Sequence, residues 1–172
     1  MNRLKTFARL TSFLLALVVV CAGIAQAAKI SGTISTTMTI TEDSELVDDV
    51  TCTVTGAPCI AIGASHITLG LNGFTMTGQA DSQTPCNGGP VAGESGIMAS
   101  KQTGVTIQGP GLVRQFRFHG IRLFNTTGVR VVGVTTSTNC MSGIILNGGL
   151  GNELEGNVSV RNGITTGGCG GI

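Results

Sequence analysis

The chain has 172 residues, 27 of them glycine, with no Trp or Tyr, 11% charged residues and 41% hydrophobic ones. That hydrophobic share is too high for a disordered chain, and the length suits one domain with a core. Once the leader described next is removed, seven Lys and Arg remain against nine Asp and Glu, a net charge of −2 (7 − 9), which excludes a generally basic nucleic-acid binder.

Arg3, Lys5 and Arg9 precede the apolar run "FLLALVVVCAGIA", and "AQA" (Ala25 to Ala27) follows as a small-x-small exit. This order predicts a cleavable signal peptide over residues 1–27 and a secreted or periplasmic protein. The apolar run is short for a membrane span, so no stable span is expected after cleavage. Five cysteines then remain in an oxidising setting: Cys52, Cys59, Cys86, Cys140 and Cys169. An odd number leaves at least one without a partner in the chain.

Residues 28–65 read as an N-terminal cap and first coil. "KISGTISTTMTI" alternates like an edge strand, and "TEDSELVDDV" holds five of the nine acids. "TCTVTGAPCIAI" reads as strand, turn, strand, with Cys52 and Cys59 flanking the turn and expected to form a disulfide. Residues 79–95, "QADSQTPCNGGPVAGES", have no apolar periodicity and read as a long loop of the kind that carries binding sites.

A repeat runs through the remainder. "TGVTIQGPGLVRQFRFHGIRLFN" starts at Thr103, "TGVRVVGVTTSTNCMSGIILNGG" at Thr127 and "LGNELEGNVSVRNGITTGG" at Leu150. A glycine recurs at Gly104, Gly128 and Gly151, and a Gly-Ile pair at Gly96, Gly120 and Gly143; both series have spacings of 24 and 23. Two independent markers with one period above 20 residues predict an all-β solenoid. Val105, Ile107, Ile121, Leu123, Val129, Val131, Ile144 and Leu146 alternate with Thr106, Arg122 and Arg130, so the first set is expected inward and the second outward. Such strands would stack about 4.8 Å apart, as parallel strands do. Asn139 and Asn162 lie 23 residues apart, with Gln115 near the equivalent place before them; all three are expected at corners, where stacked amides bond along the axis.

These features, from "HITLGLNGFTMTG" (His66 to Gly78) onward, resemble the right-handed parallel β-helix superfamily of pectate lyases, polygalacturonases and bacterial secreted proteins with degenerate β-helix repeats. They also resemble the β-helix accessory proteins of nitrous-oxide reductase maturation. The resemblance implies a right-handed single-stranded parallel β-helix of about four to five coils over 66–172, with the N-terminal cap and the loop at 79–95. "TTGGCGGI" stops inside what reads as another coil, because Gly170 to Ile172 resembles the start of a further Gly-Ile strand; the C-terminus is expected to be unfinished.

The resemblance is poor evidence for activity. His119-Gly120 matches only a dipeptide of the polygalacturonase motifs, and no Asp follows Asp81, so the paired acids of glycoside hydrolysis have no counterpart. No acidic cluster of the pectate-lyase kind lies among the repeats. No Cys-x-x-Cys occurs and no His adjoins a Cys, so neither a metal site nor another cofactor is expected. What stands out is "LVRQFRFHGIRLF", which interleaves arginine with phenylalanine. Arg forks onto carboxylates and aromatic faces stack on sugar rings, so Arg114, Arg117, Phe118, His119 and Arg122 are the candidate carbohydrate-binding residues, with an acidic polysaccharide as partner. The expectation is an exported, non-catalytic scaffold that binds carbohydrate; the alternative is the N-terminal part of a polysaccharide lyase or glycoside hydrolase whose catalytic coils lie beyond residue 172.

Overall fold

The computed structural model describes residues 26–163. Most of the expected signal peptide (residues 1–25), Cys169 and the last Gly-Ile pair lie outside these residues. Among the described residues the chain is all-β, with no helix. Thirteen strands follow in order: β1 Ala28–Ile34, β2 Met38–Ile40, β3 Ser44–Cys52, β4 Ile60–Ile62, β5 Thr68–Gly70, β6 Thr75–Thr77, β7 Ile97–Ser100, β8 Thr106–Arg114, β9 Ile121–Thr127, β10 Arg130–Ser137, β11 Ile144–Leu150, β12 Glu153–Glu155 and β13 Val158–Val160.

They form two sheets. One runs β1-β3-β5-β8-β10-β12, with β6 beside β3 and β8 and β13 beside β10; the other runs β11-β9-β7-β4-β2. The chain alternates between the two, so neighbours within a sheet come from successive passes, and parallel pairing follows. The registers reproduce the spacing of the glycine markers. Arg130 pairs with Thr106 and Glu153, offsets of 24 and 23, and Ile121 pairs with Ile97 and Ile144, offsets of 24 and 23.

The residues expected inward line one continuous core. Val105, Ile107, Ile121, Leu123, Val129, Val131 and Ile144 are fully buried. Each large aliphatic buried this way contributes about 1.5–3 kcal/mol. Leu146 departs from the expectation and is 40% exposed, because β11 is the outermost described strand of its sheet and no later described strand stacks on it.

The two glycine series exist for different reasons. Gly104, Gly128 and Gly151 have φ of +62°, +60° and +62°, a left-handed corner repeated on successive passes. Gly120 and Gly143 are spatial instead: a Cβ on Gly120 would stand 2.6 Å from the Gly143 carbonyl oxygen, and one on Gly143 would meet the Ser159 hydroxyl at 2.6 Å.

A second kind of corner depends on asparagine side chains, each answering the previous pass in the same pattern. The Asn152 carboxamide accepts from the Val129 N–H (3.0 Å) and donates to the Thr126 carbonyl (3.1 Å). Asn157 does the same to Val134 N–H (2.9 Å) and the Val131 carbonyl (2.7 Å), and Asn162 to Asn139 N–H (3.0 Å) and the Thr136 carbonyl (3.1 Å). Every bond reaches back 23 residues for the donor and 26 for the acceptor. The expected contact between stacked amides is present, as Asn139 Nδ2 donates to Asn162 Oδ1 at 2.9 Å. The left-handed residue of these corners is not the asparagine that a tolerance of positive φ would favour: it falls one residue earlier, on Thr138 (+50°) and Arg161 (+55°). Gln115 shares that left-handed position (+59°), its amide reaches the Ala80 carbonyl at 3.2 Å, and the place equivalent to Asn139 is Phe116.

Candidate functional site

The segment from Arg114 to Phe124 leaves one sheet, turns, and enters the other, so its side chains disperse. Arg114 ends β8, and its Nε donates to Thr77 Oγ1 at 3.2 Å on the outside of the first sheet. Arg117 and His119 lie in the turn, and Arg122 lies in β9 on the second sheet. The five candidate residues do not form a single patch.

Arg117 is committed to a carboxylate. Its Nε and Nη2 meet Glu94 Oε2 and Oε1 at 2.6 and 2.9 Å, and Glu94 is only 4% exposed. Glu94 Oε1 also accepts the Gly56 N–H at 2.8 Å. One side chain thereby joins the 79–95 loop, the turn after β3 and the turn after β8. A bidentate, charge-assisted fork of this kind leaves Arg117 little capacity for an external anion.

His119 is buried, 5% exposed, with Nδ1 accepting the Ser142 N–H at 3.3 Å. Burial, reinforced by the Arg122 charge, lowers its pKa to about 4. The ring is neutral at neutral pH and packs against Phe118 with centroids 4.1 Å apart. It serves the turn and offers no cation to a ligand.

Arg122 is different. Its guanidinium carbon lies 5.7 Å from the Phe118 ring centre and 5.4 Å from that of Phe124, with all three side chains partly exposed on the outer face of the second sheet. Its in-register neighbours are Met98 on one side and Ile145 on the other, neither of which competes for its N–H donors. The rings hold the guanidinium in place by cation–π attraction, leaving it available to an anion.

The 79–95 loop, the expected place for a binding site, is stapled down. Asp81 Oδ1 accepts the N–H groups of Thr84 (2.6 Å) and Gln83 (2.8 Å), Thr84 first among the donors that hold its carboxyl below the usual carboxylate range. Val91 N–H donates to the Arg117 carbonyl at 2.8 Å. Cys86 is disulfide-bonded to Cys140, Cα atoms 4.6 Å apart, and the expected Cys52–Cys59 bridge is present with Cα atoms 5.9 Å apart. Two disulfides indicate an oxidising, extracellular-type environment. Among the described residues no helix is long and apolar enough to cross a membrane.

Sequence reasoning missed Glu94 as the partner of Arg117, although Glu94 is the only carboxylate between Asp81 and Glu153. It also missed an open groove of about 390 Å³ on the first sheet, lined by Asp43, Glu45, Thr68, Asn72 and Gln108. Gly70 opens it, standing between Glu45 and Gln108 in one outward column. Among the described residues no three His, Cys, Asp or Glu side chains converge as metal ligands. No family model matches the chain, and no curated protein or solved structure matches it.

Proposed function

We propose that the chain is an exported right-handed parallel β-helix of the pectate-lyase-like superfamily, acting as a non-catalytic scaffold that holds an acidic polysaccharide on the outer face of its second sheet. The strand order supports the solenoid: a chain that returns to the same sheet one strand further along, always parallel, with offsets of 24 and 23 over its last passes, winds in one direction, and crossovers of this kind are overwhelmingly right-handed. The two disulfides fit an exported protein.

The observation that carries the binding reading is the Arg122 guanidinium between Phe118 and Phe124. An exposed, ring-held fork suits a uronate carboxylate, and the flanking rings suit the apolar face of the sugar. Arg114 sits on the other sheet, and Arg117 and His119 are occupied within the protein, so they support this surface without touching the ligand.

The test is retention of the mature protein on an immobilised uronic-acid polymer at low salt. Arg122→Ala is expected to weaken retention about tenfold, the size of one lost charge-assisted interaction. No retention, or retention indifferent to Arg122→Ala, overturns the reading. Release of sugar from the polymer would favour the lyase or hydrolase instead.

A further inference from the structure

We propose that the Asn87-Gly88 pair in the 79–95 loop is a site of spontaneous modification, where Asn87 loses its amide through a cyclic imide and becomes aspartate or isoaspartate. This goes beyond the binding reading and does not depend on it.

Four asparagines precede a glycine: Asn72, Asn87, Asn147 and Asn162. Glycine is the follower that suits ring closure, because no side chain obstructs its own nitrogen. The deprotonated glycine nitrogen attacks Cγ of the asparagine. The N–Cγ bond forms, the Cγ–Nδ2 bond breaks, and Nδ2 leaves as ammonia with the proton the nitrogen gave up. Water then opens the imide. Cleavage of the new N–Cγ bond leaves aspartate. Cleavage between that nitrogen and the asparagine's backbone carbonyl carbon leaves isoaspartate, with the main chain running through Cβ and Cγ. Either way water replaces ammonia and a carboxylate is gained. The step requires a glycine N–H that is not engaged, a carboxamide free to swing, and a backbone that can rotate at the asparagine.

Three of the four pairs are held. Gly73 N–H donates to the Pro110 carbonyl at 2.6 Å, and Asn72 Nδ2 donates to Glu45 Oε2 (3.0 Å) and the Leu46 carbonyl (3.1 Å). Gly163 N–H donates to the Asn139 carbonyl at 3.1 Å, and the buried Asn162 carboxamide both accepts and donates. Asn147 lies inside β11, where pairing with Phe124 of β9 keeps the backbone extended, and Gly148 sits against Asn125 Oδ1.

Asn87 and Gly88 are both exposed, in a turn. Neither the Asn87 carboxamide nor the Gly88 N–H bonds to any described residue, and nothing stands within 4 Å of where a Cβ on Gly88 would be. Ring closure here disturbs one bond that spans the pair, from Gly89 N–H to the Cys86 carbonyl at 2.8 Å. The chain on either side stays anchored, by Asn87 N–H on the Thr84 carbonyl (2.8 Å) and by the Cys86–Cys140 disulfide. Isoaspartate lengthens the Cys86-to-Gly89 turn by one chain atom, and the loop holds no Lys or Arg to offset the new charge.

The experiment incubates the disulfide-bonded protein in mildly alkaline buffer. The four pairs are followed by peptide mapping after reduction, with electron-transfer fragmentation to tell isoaspartate from aspartate. In the folded protein Asn87 is expected to convert first, about tenfold or more ahead of Asn72, which must first release three bonds. In urea with the disulfides reduced the four rates should converge, since each asparagine has the same follower. Asn87→Gln should remove the first acidic species that the folded protein forms. Conversion at Asn72, Asn147 or Asn162 that keeps pace with Asn87 in the folded protein overturns the proposal. So does an Asn87 slowed by folding as much as Asn72 is.

Discussion

One oxygen of Asn162, Oδ1, receives both the backbone N–H and the side-chain Nδ2–H of Asn139, at 3.0 and 2.9 Å. Asn139 in turn accepts the Phe116 N–H at 3.0 Å and donates to the Val113 carbonyl at 3.2 Å. Three successive passes are thus linked through two fully or nearly buried amides. Asn139→Ala leaves the Phe116 N–H without its acceptor in a dry corner and is expected to cost about 2–3 kcal/mol. Asn139→Asp should not restore it, because a carboxylate would then face the Asn162 oxygen. Urea unfolding of both variants against the parent measures this; a loss below 0.5 kcal/mol in the alanine variant would contradict the network.

Breaking the Glu94–Arg117 pair should be felt in the loop before it is felt globally. Arg117→Met strands a carboxylate that is 4% exposed and keeps only the Gly56 N–H. Removing one partner of a buried pair costs about 3–5 kcal/mol, and the 32% exposure of the Arg117 side chain places this case toward the lower figure. Protease cleavage within 79–95 should accelerate, and fragments cut after Cys86 should stay joined until Cys86–Cys140 is reduced. An unchanged cleavage rate would show that the disulfide alone fixes the loop.

The two disulfides should differ in weight. Cys52 and Cys59 are seven residues apart, Cys86 and Cys140 fifty-four. Chain entropy alone assigns about 2.5 kcal/mol to the short loop and about 4 kcal/mol to the long one. Replacing Cys86 and Cys140 by alanine should therefore lower the unfolding midpoint more than replacing Cys52 and Cys59. The reverse order would place the contribution in native contacts around the short turn.

His119 should make stability rise with pH in the acid range. Its folded pKa, about 4, lies below the ordinary 6.5, so the unfolded chain binds more protons between those values. Its contribution is complete above pH 6.5 and is lost as pH falls toward 4, a loss of about 3 kcal/mol at most. Protonation also removes the Nδ1 lone pair that accepts the Ser142 N–H. His119→Asn, measured by unfolding at pH 4 to 7, should flatten this part of the profile. A profile identical to the parent's would exclude His119 as its source.

The parallel all-β architecture was legible because two glycine series repeat at one offset, and that offset became the register of the later strands in both sheets. The Cys52–Cys59 bridge was legible for a similar reason: a short turn leaves its flanking residues nowhere else to go. The arginine cluster was misleading because nearness in sequence says nothing about which sheet a residue joins. Arg114, Arg117 and Arg122 span nine positions and end on one sheet, in a turn and on the other sheet. Glu94 and the Cys86–Cys140 bridge were hidden because the loop that carries them has no periodicity from which to infer where it folds back. The stacked asparagines at the corners were legible from their spacing of 23, and what the spacing did not show is that the left-handed backbone belongs to the preceding Thr138 and Arg161.

Asn152, Asn157 and Asn162, five residues apart, each reach back 23 positions to the same kind of donor. That common offset constrains how the gene can change length. Duplicating 23 codons reproduces all three attachments at once, whereas losing a single codon upstream of Asn152 but after Asn139 would pull all three amides out of reach together. Insertions should be tolerated in whole multiples of the repeat or within the stapled loop, and almost nowhere between.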